Sequence, residues 1–575
     1  MIGISTQRSA RPGAGGGPVE EPLISVIVPT YNVAGWIDDL MRSVLRQTHG
    51  HLEVIAIDDH STDGTFETLE HYAAEDPRVR VMRNPGRGGG AARNAGVAEA
   101  SGAYLAFADG DDIVPHDAYA TMLDRLEGSG SDMAVGNFAV FGPSHLRTRS
   151  RSVPTYDAPL SHATVGEVPS LLRDRVCWNK LYRADWWRWN GIEFSTSRRS
   201  NDIYAGTLAY ACAQVEILTE AVYVYRQRVG GSSMTSSKTS APSMLDHFRE
   251  ERKCAAAVAT MSAPAVAYYY ENVLRFDSWA HLQGLWAAPE GEPAPEVSEI
   301  LEIIRGLVDA APEETFAGLK KAQRWVYRLI SGGAVELLRF GQAASVSEFY
   351  LLTMTDPDGW DAVDQALGDD AAEFFAYVIQ DELPELMLET AQSGDGIEAL
   401  IEAIAAADCR YGLARRSGPL GGEIIRSAHA CHVEDSLALA AVQRRRASIV
   451  VTRASATHVE LDVLPVDATF VLRHEGGATV APIAGAAGRL EIDVERLEPG
   501  TWRLLATVAL SDRVVEYRPR LKSRDTPKVA GDRFRVIEGR HGAIDVEVPR
   551  EPGTLEVLGR RARRAAGDLR RRLRG

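Results

Sequence analysis

The chain has 575 residues, of which 45% are hydrophobic and 25% are charged, and its formal net charge at pH 7 is -16. This length exceeds the roughly 250–300 residues at which one hydrophobic core stops growing, so we expect two to four globular domains and no global disorder. The five cysteines are scattered and lack metal-binding spacing, which favours a reducing compartment. No apolar signal segment opens the chain and no run approaches 18 apolar residues. We therefore expect a cytoplasmic protein without a standard secretion signal or a membrane span.

Residues 1–22 are rich in Gly, Pro, Ser and Arg, which predicts a disordered tail. From Leu23 onward, apolar β-branched runs alternate with helical patterns. The predicted elements are the strand LISVIVPT, a helix with the apolar stripe Ile37, Leu40, Met41, Val44 and Leu45, the strand LEVIAIDD, the helix TDGTFETLEHY, and the strands VRVM and AYLAFADGDD. This alternation predicts an α/β domain with a parallel sheet covered by helices.

Polar residues follow three of the predicted strands. These groups are residues 29–32, the pair Asp58 and Asp59, and residues 109–112. Because open α/β sheets bind ligands beyond the carboxyl ends of their strands, we expect the functional site at this rim.

Two carboxylates at the end of the fourth predicted strand call for a cation. Asp109 and Asp111 are two residues apart, so an extended backbone leans both side chains the same way, where they repel unless a cation lies between them. An oxygen-only pair suits Mg²⁺ or Mn²⁺. A solvated Asp-Gly turn is the alternative. A calcium EF-hand loop is excluded because Ile113 stands where a third ligand is required.

Four motifs occur in order over about ninety residues: VPTYN, IAIDDHSTDGT, NPGRGGGAARNAG and AFADGDDIVP. Together they resemble the family 2 glycosyltransferases of the GT-A fold, a Rossmann-like α/β architecture, and the resemblance covers residues 23–236. It implies a hexosyl- or N-acetylhexosaminyltransferase that uses a nucleotide-diphosphosugar, with a UDP-sugar expected, and inverts the anomeric carbon. It also implies Mn²⁺ or Mg²⁺ at Asp111 and Asp109.

The same resemblance assigns residues to the donor. The implied donor contacts are Pro29, Tyr31, Asp59, Asn84, Arg93, Asp109, Arg226 and Ser232. Pro29, Tyr31 and Asp59 would lie against the base and ribose, and the glycines at 88–90 would let the backbone approach closely. A helix cap for Asn84 and a surface salt bridge for Arg93 are the alternatives.

The acceptor side is implied by two later segments. In SNDIYAGTLAY, Asp202 matches the general base of the family, although Asn201 replaces the usual Glu. A helix cap is the alternative role for Asp202. The segment VCWNKLYRADWW places Trp178, Asn179 and Lys180 beside the acceptor, where Trp178 either stacks on a sugar or belongs to the core.

Beyond the catalytic domain, residues 240–430 have helical patterns and predict a helical linker domain. Residues 447–550 change to a period of two and predict an immunoglobulin-like β-sandwich. This order resembles the bacterial wall teichoic acid glycosyltransferases that decorate polyol-phosphate polymers, which implies an anionic cell-envelope acceptor and a homo-oligomer, often a trimer, held by the β module. The basic residues expected to guide the acceptor are Arg198, Arg199, Arg226 and Arg228.

The segment 555–575 differs electrostatically from the rest of the chain. Residues 560–575 hold eight Arg and one Asp, which leaves a net charge of -23 for the remainder. With leucines and alanines at helical spacing, this tail predicts a peripheral anchor to the anionic inner face of the cell membrane. A disordered end is the alternative, and nucleic-acid binding is not expected because the chain is acidic and has no recognition motif.

Two other function classes compete with an active transferase. A glycan-binding or scaffold protein that retains a nucleotide-sugar pocket is supported by Asn201, and is opposed by the retained carboxylates. A nucleotidyltransferase requires a Gly-rich, Arg-containing loop after the first strand, where this chain has Pro-Thr-Tyr-Asn at 29–32.

Overall fold

The chain folds into two compact units, residues 1–331 and residues 332–575. The computed structural model describes residues 21–548 except residues 143–144, 149–153, 229–239, 289–293, 341, 344, 357–358, 394–395, 446–447, 455–457, 465–468, 478, 481–482, 485–488, 494–496, 512–513, 518–519, 522–529, 532–533 and 539–543. Residues 1–20 and the basic tail 555–575 lie outside the described residues. Among the helices that are described, none is both long enough and apolar enough to cross a bilayer.

The first unit alternates strands and helices before it becomes helical. Its strands are β1 Ile24–Thr30, β2 Leu52–Asp58, β3 Val79–Arg83, β4 Tyr104–Phe107, β5 Met133–Gly142, β6 His145–Thr148, β7 Leu160–Ala163, β8 Lys180–Arg183 and β9 Val215–Arg226. Its helices are α1 Ile37–Leu45, α2 Thr65–Glu75, α3 Gly88–Glu99, α4 Ala118–Ser129, α5 Ala184–Trp189, α6 Ile203–Cys212, α7 Ala241–Val258, α8 Ala263–Asn272, α9 Trp279–Trp286, α10 Glu296–Ala310 and α11 Lys321–Ser331. Single 3₁₀ turns occupy Pro154–Tyr156, Pro169–Arg173 and Glu313–Gly318, and a π-helical turn occupies Val273–Ser278.

One mixed sheet of nine strands forms the centre of this unit. The order is β3-β2-β1-β4-β8-β5-β9-β7, with β6 paired to β5. Strands β1 to β4 are parallel, as predicted, but β8 runs antiparallel to both β4 and β5. The prediction of an all-parallel sheet is therefore wrong beyond β4. The strand order reverses at β1, so the ends of β1, β2 and β4 open onto one crevice.

The predicted apolar pattern accounts for the core near that crevice. Ile24 and residues 26–28 of β1 are fully buried, as expected for a strand covered on both faces. Helix α1 buries four of its five predicted stripe residues, Leu45 being half-buried. Helix α3 packs closely on the sheet, because a Cβ at Gly96 would lie 2.4 Å from Ile27.

The second unit is helical and then β-stranded. Its helices are α12 Val346–Thr355, α13 Trp360–Leu367, α14 Ala371–Tyr377, α15 Leu383–Ser393, α16 Ile397–Tyr411, α17 Gly418–His429 and α18 Val433–Arg445. Shorter turns occupy Val335–Leu338, Gly368–Asp370, Leu413–Arg415 and, as a π-helical turn, Val378–Glu382. Its strands are β10 Ser448–Ala454, β11 His458–Leu464, β12 Thr469–His474, β13 Thr479–Val480, β14 Ile483–Ala484, β15 Arg489–Asp493, β16 Gly500–Ala509, β17 Val514–Tyr517, β18 Arg520–Leu521, β19 Ala530–Gly531, β20 Phe534–Glu538 and β21 Ile544–Val548.

These strands belong to two sheets. The first has the order β14-β15-β11-β10-β18, and the second has the order β13-β12-β16-β21-β20-β19 with β17 paired to β16. The alternation predicted around Leu461 and Ile492 corresponds to the antiparallel pair β11 and β15. The helices α7 to α11 belong to the first unit and α12 to α18 to the second, so the helical segment is divided between the two.

Candidate active site

The ends of β1 and β2 form the part of the rim predicted to bind the nucleoside. Tyr31, directly after β1, is 55% exposed, and Pro29 is half-buried. The Asp59 amide donates to the Thr30 carbonyl oxygen at 2.8 Å, which holds the ends of the two strands together. Tyr31 and Asp59 therefore lie side by side at the mouth of the crevice, as the sequence predicted.

Asp59 is held by the segment that follows β3. Its Oδ1 accepts from the Asn84 side-chain amide at 2.7 Å, and its Oδ2 accepts from the Gly88 backbone amide at 2.8 Å. Asn84 is only 2% exposed and positions Asp59, while its predicted contact with the donor stays a prediction. It does not cap α3, because the N-cap position is Arg87. Gly88 has φ +85°, a left-handed conformation that glycine adopts without strain.

The two predicted metal ligands follow β4, and each is paired with an arginine. Arg93 Nη2 lies 2.5 Å from Asp109 Oδ1, and Arg228 Nε lies 2.6 Å from Asp111 Oδ2. Burial and the neighbouring Asp109 raise the pKa of Asp111, against the opposing charge of Arg228. The two carboxylates are thus crowded together, as the sequence indicated.

Asp112 has a structural role. Its Oδ1 accepts from the Arg226 backbone amide at 2.7 Å, and its Oδ2 accepts from the Tyr223 hydroxyl at 2.9 Å. The same hydroxyl accepts from the Asp109 backbone amide at 2.9 Å. Burial, followed by the charges of Asp111 and Asp109, raises the pKa of Asp112 well above its usual range. Tyr223 and Asp112 therefore hold the loop that carries the Asp-x-Asp motif in place, and no sequence pattern indicated this role for Tyr223.

Arg93 joins the Asp-x-Asp motif to the segment that carries the predicted base. Its Nη1 donates to Asn201 Oδ1 at 2.8 Å while Nη2 binds Asp109. The side chain is buried, so the salt bridge that Arg93 makes with Asp109 is not a surface one, while its nucleoside contact stays a prediction. Asn201 stands where the family pattern has Glu. Its Oδ1 accepts the hydrogen bond from Arg93, whereas a Glu side chain would add another negative charge at this position.

Asp202 is half-buried and occupies the N-cap position of α6, yet its side chain makes no capping hydrogen bond. The alternative of a helix cap is therefore wrong. Burial raises the pKa of Asp202, Arg93 and Lys180 lower it, and Asp109 raises it further. A carboxylate with a raised pKa is a stronger base than an ordinary surface aspartate, which suits general-base catalysis.

Helix α7 supports the loop that leads to Asp202. Glu250 accepts from the Ser195 hydroxyl at 2.7 Å, and His247 Nδ1 lies 2.8 Å from the Ser200 hydroxyl. On the other side of the loop, a Cβ at Gly90 would lie 1.8 Å from the Ser195 carbonyl oxygen. The glycine run was expected to let the backbone approach closely, and at Gly90 the backbone does approach closely, but to the loop 195–202 of the protein itself. Sequence reasoning did not connect α7 with the site.

The predicted acceptor residues are largely internal. Asn179 and Lys180 have no exposed surface; Lys180 Nζ lies 3.5 Å from Asp174, and Asn179 donates to Asp174 at 2.7 Å. Burial lowers the pKa of Lys180. Trp178 is 7% exposed and stacks on Tyr223 with ring centroids 4.4 Å apart. Asn179 and Lys180 therefore have a buried, structural setting, their place on the acceptor side stays a prediction, and the core alternative fits Trp178.

Two of the four arginines in the predicted track are paired with carboxylates. Arg226 pairs with Asp39 at 2.8 Å, and Arg228 pairs with Asp111 and lies 4.5 Å from the centre of the Trp36 ring. Arg199 donates to Ser243 at 3.3 Å. The predicted diphosphate contact of Arg226 would require its ion pair to open, while Ser232 lies outside the described residues.

A divalent cation is implied at Asp109 and Asp111. The hydrogen bonds from arginine use Oδ1 of Asp109 and Oδ2 of Asp111, and no other described side chain donates a hydrogen bond to either carboxylate. Two carboxylates form the protein share of many Mg²⁺ sites, with substrate phosphates as further ligands. The residues fit such an ion.

A second group of possible metal ligands is already neutralised by an arginine. His247, Glu251 and Asp277 bring one ligand atom each within 4.8 Å of one another. Arg175 Nη2 lies 2.6 Å from Glu251 and 3.5 Å from Asp277, so a guanidinium already balances both carboxylates. Burial lowers the pKa of His247 to about 3, which keeps the ring neutral. This group is a buried ion-pair network that anchors α7.

Comparisons with known proteins agree with the geometry of the crevice. Residues 25–188 match the family model for glycosyl transferase family 2. Glycosyltransferase GlyA of Streptococcus pneumoniae is 28% identical over 236 residues, which cover 40% of this chain and 34% of GlyA. The putative teichuronic acid biosynthesis glycosyltransferase TuaG of Bacillus subtilis is 46% identical over 107 residues, which cover 18% of this chain and 42% of TuaG.

The match thus spans about a third of the length of GlyA and less than half of TuaG. Among solved structures, S. aureus TarS 1-349 in complex with UDP-GlcNAc aligns with a TM-score of 0.47 at 20% identity, covering 57% of this chain and 90% of that one. The motif order, the mixed sheet and the family match all concern the same segment. Residues 25–188 therefore form a domain that matches glycosyl transferase family 2.

Proposed function

We propose that this protein is an inverting glycosyltransferase that moves a sugar from a nucleotide-diphosphosugar, by preference a UDP-sugar, to a hydroxyl of an anionic cell-envelope polymer. The observation that carries this proposal is Asp202. Its carboxylate has a raised pKa and makes no capping bond, and it lies within electrostatic reach of Arg93 and Asp109 at the rim where Tyr31 and Asp59 would receive the nucleoside. The similarity to TuaG, a putative teichuronic acid biosynthesis glycosyltransferase, supports an anionic polymer as acceptor.

The proposed reaction is a single displacement. Asp202 accepts the proton of the acceptor hydroxyl while the hydroxyl oxygen attacks the anomeric carbon from the face opposite the leaving group. The bond from the anomeric carbon to the diphosphate oxygen breaks, and its electron pair leaves with the nucleoside diphosphate. The configuration at the anomeric carbon is inverted.

The other residues orient the donor. Asp59, fixed by Asn84 and Gly88, accepts from the base or ribose, and exposed Tyr31 provides an aromatic face beside it. Asp109 and Asp111 would hold Mn²⁺ or Mg²⁺. When bound, this ion neutralises the charge that develops on the departing diphosphate.

The rest of the chain has a role within the same proposal. Residues 447–550 are an immunoglobulin-like β-sandwich that holds the protein in a homo-oligomer, a reading supported by two sheets of short strands. The segment 555–575 attaches a cytoplasmic enzyme to the inner face of the membrane, supported by its eight arginines between residues 560 and 575.

The test is a donor screen with the purified full-length protein. Hydrolysis and transfer are measured with UDP-glucose, UDP-GlcNAc, UDP-galactose and GDP-mannose, with and without Mn²⁺, and the anomer of the product is assigned by NMR. Asp202→Asn should lower transfer by about 10²–10⁴-fold with donor affinity nearly unchanged.

Asp185→Asn serves as the matched control, because Asp185 is an exposed aspartate in the first turn of α5. It should behave as wild type. If no nucleotide sugar is turned over, or if Asp202→Asn transfers at the wild-type rate, the proposed function fails.

A further inference from the structure

A row of three side chains crosses the sheet beyond the catalytic crevice. Val140 on β5 pairs in register with Tyr225 on β9 and, on its other side, with Arg147 on β6. Cross-strand partners direct their side chains to the same face of a sheet. Because neighbouring strands lie about 4.8 Å apart, the Arg147 backbone lies about 10 Å from that of Tyr225.

This row is on the face of the sheet that meets the Asp-x-Asp loop. Tyr223 precedes Tyr225 by two residues on β9 and therefore points the same way. Its hydroxyl contacts both Asp112 and the Asp109 amide. Trp178 stacks on Tyr223 and also on Tyr225, with ring centroids 5.9 Å apart in the second pair. The row therefore continues outward from the crevice.

Exposure increases along the row. Trp178 lies buried beneath, Tyr225 and Val140 are half-buried, and Arg147 is exposed. Arg226 and Arg228 are neutralised by Asp39 and Asp111, whereas Arg147 has no ion pair with any residue that the structure describes. Tyr225 and Arg147 thus place an aromatic ring beside a positive charge that no described carboxylate pairs with, on a chain whose net charge is negative.

We propose that Tyr225 and Arg147 form an acceptor subsite in which a sugar or polyol unit lies against Tyr225 while an anionic group of the same polymer binds Arg147. The inference rests on the proposed function and deepens it. An aromatic ring offers an apolar face to the C–H groups of a carbohydrate. A guanidinium binds phosphate or carboxylate through two parallel hydrogen bonds. The subsite therefore selects a polymer that carries a charge about one repeat away from the reacting hydroxyl.

The test uses full-length protein with Arg147→Ala, Arg147→Lys, Tyr225→Ala and Tyr225→Phe. Arg46→Ala is the control, since Arg46 is an exposed arginine after α1. Binding of a polyol-phosphate polymer, a uronic acid polymer and an uncharged glucan is measured by equilibrium dialysis, and KM and kcat follow for each polymer that is glycosylated.

Arg147→Ala should weaken binding of an anionic polymer at least tenfold, raise its KM equally and leave kcat, donor hydrolysis and glucan binding unchanged. Arg147→Lys should restore part of the loss. Tyr225→Ala should weaken binding of all three polymers, and Tyr225→Phe should retain it. A preference for phosphate or for carboxylate identifies the anion.

The subsite is refuted if Arg147→Ala binds anionic polymers as tightly as Arg46→Ala, or if wild type binds the uncharged glucan as tightly as either anionic polymer. Dialysis needs no turnover, so these outcomes are distinct from failure of the donor screen, which would overturn the catalytic proposal alone.

Discussion

Glu251→Gln tests whether the buried ion pair between Arg175 and Glu251 stabilises helix α7, which supports the loop 195–202. Glu251 has no exposed surface, and Arg175 donates to both of its oxygens at 2.6 and 2.9 Å. Tyr269 adds a third hydrogen bond at 2.8 Å. Burial opposes ionisation of this carboxyl, but the charge and hydrogen bonds of Arg175 outweigh it and hold the pKa of Glu251 at about 2.

The expected loss of stability in Glu251→Gln follows from the lowered pKa of Glu251. A folded pKa of about 2 against an ordinary value of 4.5 corresponds to roughly 3 kcal/mol, since each pKa unit is worth about 1.4 kcal/mol. Because the folded pKa is lowered, this stability is present above about pH 4.5 and is lost as the pH falls towards 2. Removing one partner of a buried ion pair costs about 3–5 kcal/mol of folding stability, which agrees with the figure from the pKa shift.

The assay is hydrogen exchange of the full-length protein at pH 7, read on peptides from α7 and from the loop 195–202. Glu251→Gln should lower the exchange free energy there by about 3 kcal/mol. Glu299→Gln is the matched control, because Arg249 of the same helix binds Glu299 in the same two-bond manner at the surface. Its effect should stay below about 1 kcal/mol.

The double replacement Arg175→Met with Glu251→Leu should recover most of the stability, because it leaves no buried charge unpaired. Equal losses in Glu251→Gln and Glu299→Gln would refute the reasoning.

Four further outcomes are expected. Asp111→Asn should reduce metal-dependent turnover on the order of 10³-fold and weaken donor binding, whereas wild-type turnover by the variant, or undiminished wild-type activity in excess chelator, would contradict this. Because the pKa of Asp202 is raised, kcat/KM should fall as the pH is lowered, and the midpoint of this fall should lie above the pKa of an ordinary aspartate. A pH–rate profile without this fall at low pH would show that another group is the base. Removal of residues 447–575 should leave a monomeric, still active fragment on light scattering, and a full-length monomer at micromolar concentration would refute the oligomer. Wild type should sediment with vesicles of anionic lipid in a salt-sensitive manner, and binding that survives truncation after Gly559 would exclude the tail as the anchor.

The parts of the fold that depend on local pattern could be predicted from the sequence. Strand β1, helix α1 and strand β2 were expected within one or two residues of their observed ends. The convergence of Tyr31, Asp59 and Asp109 on one rim followed from the rule that ligands bind at the carboxyl ends of parallel strands. These features depend on periodicity and chain order, which a single sequence contains.

The parts that depend on distant pairing could not be predicted. Trp178, Asn179 and Lys180 were expected beside the acceptor, but Lys180 begins β8, which inserts antiparallel between β4 and β5 and buries this lysine. Arg93 and Asn201 are 108 residues apart, and no local pattern reports their hydrogen bond. No local pattern indicates the contact of Glu250 with the loop 195–202 either. Glu250 lies on α7, in the segment 240–430 that was predicted to be a helical linker domain.

The charges around the Asp-x-Asp loop explain why Asp202 suits the role of base. Three of the four carboxylates have a direct partner: Asp109 binds Arg93, Asp111 binds Arg228, and Asp112 accepts from a backbone amide and a tyrosine hydroxyl. These contacts favour the ionised forms, although burial and mutual repulsion still raise the pKa of Asp111 and of Asp112. Asp202 receives no such side-chain contact from the described residues, and Asn201 draws one arm of Arg93 away from it. A carboxylate that is partly buried and unpartnered retains its basicity, and such a group can take a proton from an acceptor hydroxyl.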